Sequence, residues 1–259
     1  MITDSRIDGG KAFDWGRTSE DYAKFRDIYP EEFYSRILEF GLCTEGQQVL
    51  DVGTGTGVLP RNMYRFGADF TASDISENQI KQARILSRDM NIKYITAPAE
   101  EAVMPENSLD VITACQCYFY FKHDIFAAQA HRMLKQGGKL AFLYMAWLPF
   151  EDEIAGKSEK LVLKYNPDWS GCNETRHEIY IPDDYKEYFT LEENITFDAD
   201  VPFTRESWNG RILACRGIGA SLSEEMKSQF DAEHRLMLEQ YPENFTVRHY
   251  CAIAILKAK

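Results

Sequence analysis

Three glycines at alternate positions follow an apolar run that ends in an acid, in the segment VLDVGTGTGVLP at residues 49–60. Gly53, Gly55 and Gly57 predict a tight turn after a strand, where a ligand can lie against the backbone and the start of the next helix. Asp74, in TASDIS, stands at the end of the next strand-like run. A carboxylate there can accept two hydrogen bonds from the vicinal hydroxyls of a ribose. The pattern therefore indicates a site for an adenosine-containing ligand.

The spacing of the glycines distinguishes between classes of adenosine ligand. The nicotinamide dinucleotide fingerprint G-x-G-x-x-G would place its third glycine at Val58, but the third glycine here is Gly57. Asp51, two residues before Gly53, is expected to turn its negative charge toward whatever the loop holds. That charge suits a positively charged ligand better than a pyrophosphate. A phosphate-binding P-loop is excluded because no Gly-Lys-Ser/Thr follows.

Short apolar runs alternate with helical stretches through the middle of the chain. The runs are rich in β-branched and aromatic residues and read QQVLDVG, ADFTASD, IKYITA, LDVITAC and GKLAFLYM. Several are apolar on both faces, as parallel strands are when helices cover both sides of the sheet. The alternation predicts a doubly wound, mostly parallel sheet of the α/β class.

Local signals predict where two of the helices begin and end. Ser76 and Gln79 match the S-x-x-Q capping box and predict a helix that starts there. Asp124 is expected to cap the helix after the fourth strand, and Gly137-Gly138 to end it before the fifth.

The chain is expected to form a single domain, because no Pro/Gly/Ser-rich linker divides it. Within it, we predict an aromatic-rich helical cover at residues 1–40, a ligand-binding core at 41–149 and a lid insertion at 150–185. In the remainder, 186–259, ITFDADVPFT and FTVRHYCAIAILKA are strand-like and flank a helical stretch. They are expected to form a closing antiparallel pair at the edge of the sheet.

The charge balance limits the choice of partner. The formal net charge is −12 and no Lys/Arg cluster interrupts it, so we expect no nucleic-acid partner. No apolar run approaches the roughly 20 residues that span a bilayer, and the opening MITDSRIDGGKAFDW lacks an apolar leader segment. We therefore expect no membrane partner and a cytoplasmic location, with the oligomeric state left open.

The six cysteines contain no C-x-x-C pair, and a chain of 259 residues needs no disulfide framework. We expect reduced, mostly buried thiols. Cys115 and Cys117 would share one face of a strand, but no histidine or third thiol stands at ligand spacing. No metal site is predicted.

The motif D-x-G-x-G-x-G at Asp51 to Gly57, together with Asp74, resembles the class I S-adenosylmethionine-dependent methyltransferases, in particular small-molecule enzymes of the methyltransferase type 11 kind. APAEEAVMPENSLDVITA and LKQGGKLAFLY follow in the order and at the spacing typical of that family. The resemblance implies a seven-stranded Rossmann-like sheet and S-adenosyl-L-methionine as cofactor, with S-adenosyl-L-homocysteine as product.

The resemblance also implies which residues contact the cofactor. The opening DYAKFRDIYP is similar to an N-terminal helix in which an aromatic residue and an arginine close over the cofactor. Pro98 stands where the family usually has an acid, so the backbone N–H of Ala99 would take over that adenine contact. The implied cofactor-binding residues are Tyr22, Arg26, Asp51, Gly53, Thr54, Gly55, Gly57, Asp74, Ile75, Gln79, Ala99, Glu100, Cys115 and Gln116.

The resemblance implies direct in-line transfer of a methyl group to a small metabolite, a reaction that requires mainly positioning of the acceptor and exclusion of water. A general base is needed only if the acceptor loses a proton, and His123 is the candidate, with a structural role at a helix start as the alternative. Arg61, Arg205 and Arg216 are candidates for binding an acceptor carboxylate, with structural pairing as their alternative. Two other functions stay open: an NAD-dependent oxidoreductase and a non-catalytic S-adenosylmethionine-binding regulatory protein.

Overall fold

The computed structural model describes residues 2–259, which group into two compact units. The sheet unit comprises Tyr29–Met145, His177–Phe197 and Cys251–Lys259. The helical unit comprises the chain up to Ile28, Ala146–Arg176 and Asp198–Tyr250. The single-domain expectation stays a prediction. Among the residues described, no helix combines the length and apolar character needed to cross a membrane.

Strands and helices alternate through the middle of the chain, as the sequence pattern predicts. The strands are β1 Gln48–Val52, β2 Asp69–Asp74, β3 Lys93–Thr96, β4 Leu109–Cys115, β5 Leu134–Trp147, β6 Phe189–Thr204 and β7 Asn244–Ala258. The α-helices are α1 Ser19–Phe25, α2 Glu31–Glu39, α3 Val58–Met63, α4 Glu77–Leu86, α5 His123–Met133, α6 Glu153–Tyr165, α7 Arg205–Leu213 and α8 Glu224–Leu238.

The strands form one seven-stranded sheet in the order β3-β2-β1-β4-β5-β7-β6. β1 pairs in parallel with β2 and β4, β2 with β3, and β4 with β5. Val49, Leu50 and Val52 of β1 are all buried, which is the pattern of a strand covered on both faces. The predicted doubly wound α/β fold is confirmed. β7 and β6 lie at the sheet edge as expected, and their antiparallel direction stays a prediction.

The start of α4 follows its predicted capping signal, since the Ser76 hydroxyl accepts a hydrogen bond from the Gln79 N–H at 3.4 Å. The prediction for α5 was wrong. The helix starts at His123, so Asp124 lies inside its first turn, and Lys122 is the N-cap residue. The N–H of Lys122 donates to the Glu100 carboxylate at 2.7 Å. This bond joins two segments far apart in the chain, so local pattern could not reveal it.

The predicted end of α5 was also wrong. The helix ends at Met133, before the Gly137-Gly138 pair, because Leu134 already has extended backbone angles and pairs with Leu109 of β4. The next paired position of β5 is Lys139, opposite Val111, so the glycines lie in an irregular part of the strand. Gly137 has a φ of 74°, a left-handed conformation that suits glycine.

In the helical unit, α1 packs against α7 at a glycine. A Cβ atom placed on Gly210 would lie 2.3 Å from the ring of Phe25. A larger residue at this position would therefore separate the two helices. Arg26 directly follows Phe25, and Arg211 directly follows Gly210, so both come next to this tight contact in the chain.

A chain of buried hydrogen bonds joins α6, α7 and α8. The Trp208 indole N–H donates to the Ser158 hydroxyl at 2.9 Å, and that hydroxyl lies 2.9 Å from Nε2 of His234. Nδ1 of His234 lies 2.7 Å from Oδ1 of Asn209, whose amide nitrogen donates to Asp231 at 2.5 Å. Each group has a partner when His234 is neutral, and burial lowers the pKa of His234 from 6.5 to about 4.

His234→Gln tests the pH dependence that this burial creates. Because the folded-state pKa lies below the unfolded value, the unfolded chain binds more protons between about pH 4 and about pH 6.5. The contribution of His234 to stability is therefore complete above about pH 6.5 and is lost as the pH falls, by as much as about 3 kcal/mol. Urea unfolding at about pH 7.5 and about pH 4.5 should show the wild type losing more unfolding free energy than the variant. The exposed His177→Gln is the control, and equal losses in wild type and His234→Gln would contradict the expectation.

Candidate functional site

The glycine loop connects β1 to α3 with a left-handed backbone. The φ angles of Gly53, Gly55 and Gly57 are 64°, 58° and 76°, values that residues other than glycine rarely adopt. A Cβ atom on Gly53 would lie 2.6 Å from Sγ of Cys117, and one on Gly57 would lie 2.6 Å from the Tyr94 hydroxyl oxygen. The glycines are thus required by backbone geometry and by close packing of the protein's own side chains. Sequence reasoning missed both neighbours.

Two backbone N–H groups hold the Asp74 carboxylate, and one of them belongs to the glycine loop. Its Oδ2 accepts from the N–H of Gly55 at 2.8 Å, and its Oδ1 accepts from the N–H of Ser76 at 2.8 Å. An ionised carboxylate has about four acceptor positions, so each oxygen keeps one after these bonds. The next residue, Ile75, is 55% exposed and offers an apolar surface beside the carboxylate. This arrangement fits a pair of ribose hydroxyls with an adjoining base.

Asp51 lies buried in β1, just before the glycine loop. Its side chain is only 1% exposed, and Oδ1 accepts from the Thr113 hydroxyl of β4 at 2.6 Å, with Thr54 of the loop nearby. Burial raises the pKa of Asp51 from 3.8 to about 6, against the lowering effect of the two threonines. The carboxylate therefore joins β1 to β4 through Thr113, and its contact with a ligand stays a prediction.

The end of β4 holds a strained residue. Gln116 has a φ of 64° although it carries a side chain. Its backbone N–H donates to the Leu143 carbonyl at 2.9 Å, and its side-chain amide donates to the Met145 carbonyl. Bonds to the neighbouring β5 thus hold the chain in a conformation that it would otherwise avoid, a feature often found at binding sites.

The thiols of the two cysteines beside Gln116 form hydrogen bonds with different residues. The Cys115 thiol donates to the Tyr29 hydroxyl at 3.3 Å, and the Cys117 thiol donates to the Val52 carbonyl at 3.2 Å. Burial raises the pKa of Cys117 well above its usual value, so this thiol stays protonated. All six cysteines are free thiols. Over residues 2–259, no group of three or more histidine, cysteine or acidic residues is arranged to hold a metal ion.

His123 and Glu100 meet other parts of the sheet unit at the start of α5. Nδ1 of His123 lies 2.9 Å from the hydroxyl of Tyr185, whose side chain is fully buried. Burial raises the pKa of Tyr185, so the phenol remains neutral. Glu100 holds the Lys122 N–H, as described above, and Ala99 is buried beside it. The role of His123 as a base stays a prediction.

The remaining predicted residues occupy both units. In the sheet unit, the Thr54 N–H donates to the Ser73 carbonyl at 2.8 Å, and Gln79 is buried in α4. In the helical unit, the Arg26 guanidinium lies 4.7 Å from the ring centroid of Tyr22. The closing role implied for Tyr22 and Arg26 stays a prediction.

Three arginines proposed for an acceptor carboxylate make contacts within the protein. Arg205 donates to the Tyr241 carbonyl, Arg61 donates to the Thr56 carbonyl, and buried Arg216 forms an ion pair of 2.8 Å with Asp8. These contacts favour the structural alternative. A further buried arginine, Arg211, was not singled out from the sequence, since its burial depends on how α7 packs.

Comparison with known proteins identifies the segment that carries this site. Residues 50–142 match a family model described as a methyltransferase domain. The chain is 36% identical over 107 residues to the ubiquinone/menaquinone biosynthesis C-methyltransferase of Psychromonas ingrahamii, covering 38% of this chain and 43% of the relative. It is 34% identical over 133 residues to the ubiquinone biosynthesis O-methyltransferase of Pseudomonas fluorescens, covering 49% and 56%. The chain thus spans about half the length of the curated relatives it matches.

A solved structure extends the likeness in fold beyond that segment. A candidate type II methyltransferase from Anaeromyxobacter dehalogenans superposes with a TM-score of 0.57 at 20% identity, covering 89% of this chain and 96% of that one. At this identity the likeness concerns the fold alone. The matched segment contains the glycine loop, Asp74 and β4, and it forms the first strands of the seven-stranded sheet. Residues 50–142 are thus similar to a methyltransferase domain, and the fold around them is like that of the solved structure.

Proposed function

We propose that the protein is an enzyme that transfers the methyl group of S-adenosyl-L-methionine directly to a small metabolite and releases S-adenosyl-L-homocysteine. One observation supports the cofactor assignment above others. The Asp74 carboxylate is held by the N–H groups of Gly55 and Ser76 and keeps one acceptor position on each oxygen, beside exposed Ile75. That arrangement suits the ribose and base of an adenosine.

The cofactor, when bound, supplies a methyl group on a positively charged sulfur that is already electrophilic. The protein then has to bind, orient and exclude water rather than provide a nucleophile. Asp74 would bind the ribose hydroxyls, and the left-handed turns at Gly53, Gly55 and Gly57 would let the ligand approach the main chain. Gln116, held by β5, would keep the end of β4 in one conformation beside the loop.

His123 would act as a base only for an acceptor that loses a proton. Its ring is oriented by the Tyr185 hydroxyl at Nδ1, and a fixed ring is what general-base catalysis requires. A small-molecule acceptor is favoured over nucleic acid by the net charge of −12.

Calorimetric titration with S-adenosylmethionine, S-adenosylhomocysteine and NAD tests the cofactor assignment. We expect the two sulfur compounds to bind and NAD to bind far more weakly. Incubation with S-adenosylmethionine and a metabolite extract should then release S-adenosylhomocysteine and add one methyl group to a component of the extract. Mass spectrometry detects both products. Preferential binding of NAD would favour an oxidoreductase, and binding without turnover on any acceptor would favour a regulatory protein.

Asp74→Asn tests the ribose contact. Asparagine keeps the size of the side chain but removes the charge and offers a single acceptor oxygen. We expect S-adenosylhomocysteine to bind more weakly by about 1–3 kcal/mol, the cost of losing charged hydrogen bonds. Asp69→Asn at the exposed opposite end of β2 is the matched control and should bind normally. If calorimetry gives both variants the wild-type affinity, Asp74 does not hold the ligand.

Gly57→Ala tests the shape of the loop. The new alanine must adopt a φ of 76°, and its methyl group meets the Tyr94 hydroxyl. The loop is therefore expected to shift, and the affinity for S-adenosylhomocysteine is expected to fall at least about tenfold, or by about 1.4 kcal/mol. Combining it with Tyr94→Phe removes the contact with the hydroxyl and should restore part of the affinity. The measurements are calorimetry for affinity and thermal unfolding for stability.

Gly46→Ala separates backbone strain from the contact at the loop. Gly46 has a φ of 79° in the same unit, but a Cβ atom placed on it would meet nothing within 4 Å. This control should lose about 1–2 kcal/mol of stability from the left-handed backbone alone and keep its affinity. Equal ligand affinities for Gly46→Ala and Gly57→Ala would show that the loop does not carry the site.

A further inference from the structure

One hydrogen bond joins His123 to the segment that the sequence predicts to be a lid. Tyr185 ends a short 3₁₀ helix, Asp183–Tyr185, and its hydroxyl oxygen lies 2.9 Å from Nδ1 of His123. Both residues belong to the sheet unit, but Tyr185 lies outside the segment that matches the methyltransferase-domain model. The contact therefore links the matched segment to a part of the chain that the match does not cover.

The Tyr185 hydroxyl is held in one place, away from bulk water. The side chain is fully buried, and Phe142 of β5 meets its ring edge-on at 5.3 Å between centroids. Phe189 of β6 lies on another side at 6.1 Å. The imidazole of His123 also meets the phenol ring edge-on, at 5.6 Å. These contacts fix the hydroxyl beside Nδ1.

The buried hydroxyl has one way to satisfy its proton. Among residues 2–259, it has no hydrogen-bond partner other than Nδ1 of His123. Burial raises the pKa of Tyr185, and the charges of Asp184 and Glu100 raise it further, so the phenol keeps its proton. If Nδ1 carried the ring proton and donated to the oxygen, the phenol proton would be buried without an acceptor, which is unfavourable. The phenol therefore donates to Nδ1.

The direction of this bond decides where the imidazole carries its own proton. A neutral imidazole has one donor nitrogen and one acceptor nitrogen, so acceptance at Nδ1 leaves the proton on Nε2. His123 is the first residue of α5, where the positive end of the helix dipole disfavours a second proton on the ring. Asp124 and Glu100 act in the opposite sense at the same helix start. The neutral ring is therefore tested above the usual histidine range of pH.

Close contacts connect His123 to the glycine loop. The ring of Tyr118 lies 6.3 Å from the imidazole between centroids. Cys117, the residue before it, packs on Gly53, where a Cβ atom would lie 2.6 Å from its Sγ. The Cys117 thiol also donates to the carbonyl of Val52, at the end of β1. A single aromatic ring thus separates His123 from the residue that packs on the loop.

We propose that Tyr185 is a positioning residue that holds His123 in the tautomer with the proton on Nε2. In this tautomer the neutral ring of His123 donates a hydrogen bond through Nε2 and cannot accept a proton there. The role follows from a buried contact between distant segments, so no local motif indicates it.

The tautomer narrows the class of methyl acceptor, an inference that rests on the methyltransferase function proposed above. An alcohol must lose a proton as it attacks, and the neutral His123 could not take it at Nε2. An oxygen anion, such as a carboxylate, accepts a hydrogen bond from an N–H and needs no base. Its lone pair forms the new bond to the methyl carbon, the electron pair of the carbon–sulfur bond stays on sulfur, and no proton is released. The acceptor that fits is therefore an oxygen anion.

Long-range ¹H–¹⁵N correlation spectra of the ¹⁵N-labelled protein, recorded at about pH 8, show which imidazole nitrogen carries the proton. The chain has five histidines, so the signals of His123 are assigned by comparison with His123→Gln. In the wild type we expect a proton on Nε2 and a hydrogen-bonded Nδ1 without a proton. A proton on Nδ1 would overturn the proposal.

Tyr185→Phe removes the hydroxyl and keeps the ring. The Nδ1 signal of His123 should then move toward that of an imidazole nitrogen without a hydrogen bond. Tyr188→Phe is the matched control, because it removes a hydroxyl of the same segment from a ring that contacts His131 at 5.4 Å between centroids. It should leave the His123 signals unchanged.

Two outcomes of the variant spectra would contradict the role of Tyr185, with folding checked by circular dichroism. One is an unchanged Nδ1 signal in Tyr185→Phe, and the other is an equal movement in Tyr188→Phe. The wild-type spectrum decides the position of the proton even if a variant does not fold.

Titration with S-adenosylhomocysteine distinguishes this proposal from the proposed function. If that compound does not bind while the spectra are as expected, the methyltransferase function is wrong and the role of Tyr185 stands. If it binds while Nδ1 carries the proton, only the role of Tyr185 and the acceptor class are wrong. A methylated aliphatic alcohol among the products of the extract assay would contradict the acceptor class.

Discussion

Two hydrogen bonds, from the N–H groups of Gly55 and Ser76 to the Asp74 carboxylate, hold the candidate site together. The Gly55 bond joins the end of β2 to the loop after β1, and the Ser76 bond holds the turn into α4. Both donors belong to the backbone, so the carboxylate cannot rotate without breaking the loop. The acceptor positions it has left are therefore oriented before any ligand arrives, which lowers the ordering cost of binding.

Buried negative charge at this site would favour a cation. Asp51 and Asp74 both have raised pKa values because they are desolvated, and Asp74 raises the pKa of Asp51 further. Asp51 contacts Thr113, and its charge acts over distance in a poorly solvated region. A positively charged sulfur would relieve the repulsion between the two carboxylates, and a pyrophosphate would increase it.

The helical unit shows two ways of burying a polar group. Around His234, every donor has an acceptor, and Arg216 is neutralised by Asp8, so these groups stabilise the packing of the unit. Around His249, the imidazole is buried and its Nε2 has no hydrogen-bond partner within residues 2–259. The first arrangement satisfies its polar groups within the protein, whereas the second leaves one buried acceptor of the described residues unpaired.

The order of strands and helices, the glycine loop and the place of Asp74 could all be predicted from the sequence, because each depends on residues close together in the chain. Which side chains meet at the site could not. Asp51 bonds Thr113, Glu100 caps α5 through Lys122, His123 meets Tyr185, and Cys117 covers Gly53. Local periodicity and capping carry no information about such contacts, since they arise only when distant segments pack and exclude water from each other's polar groups.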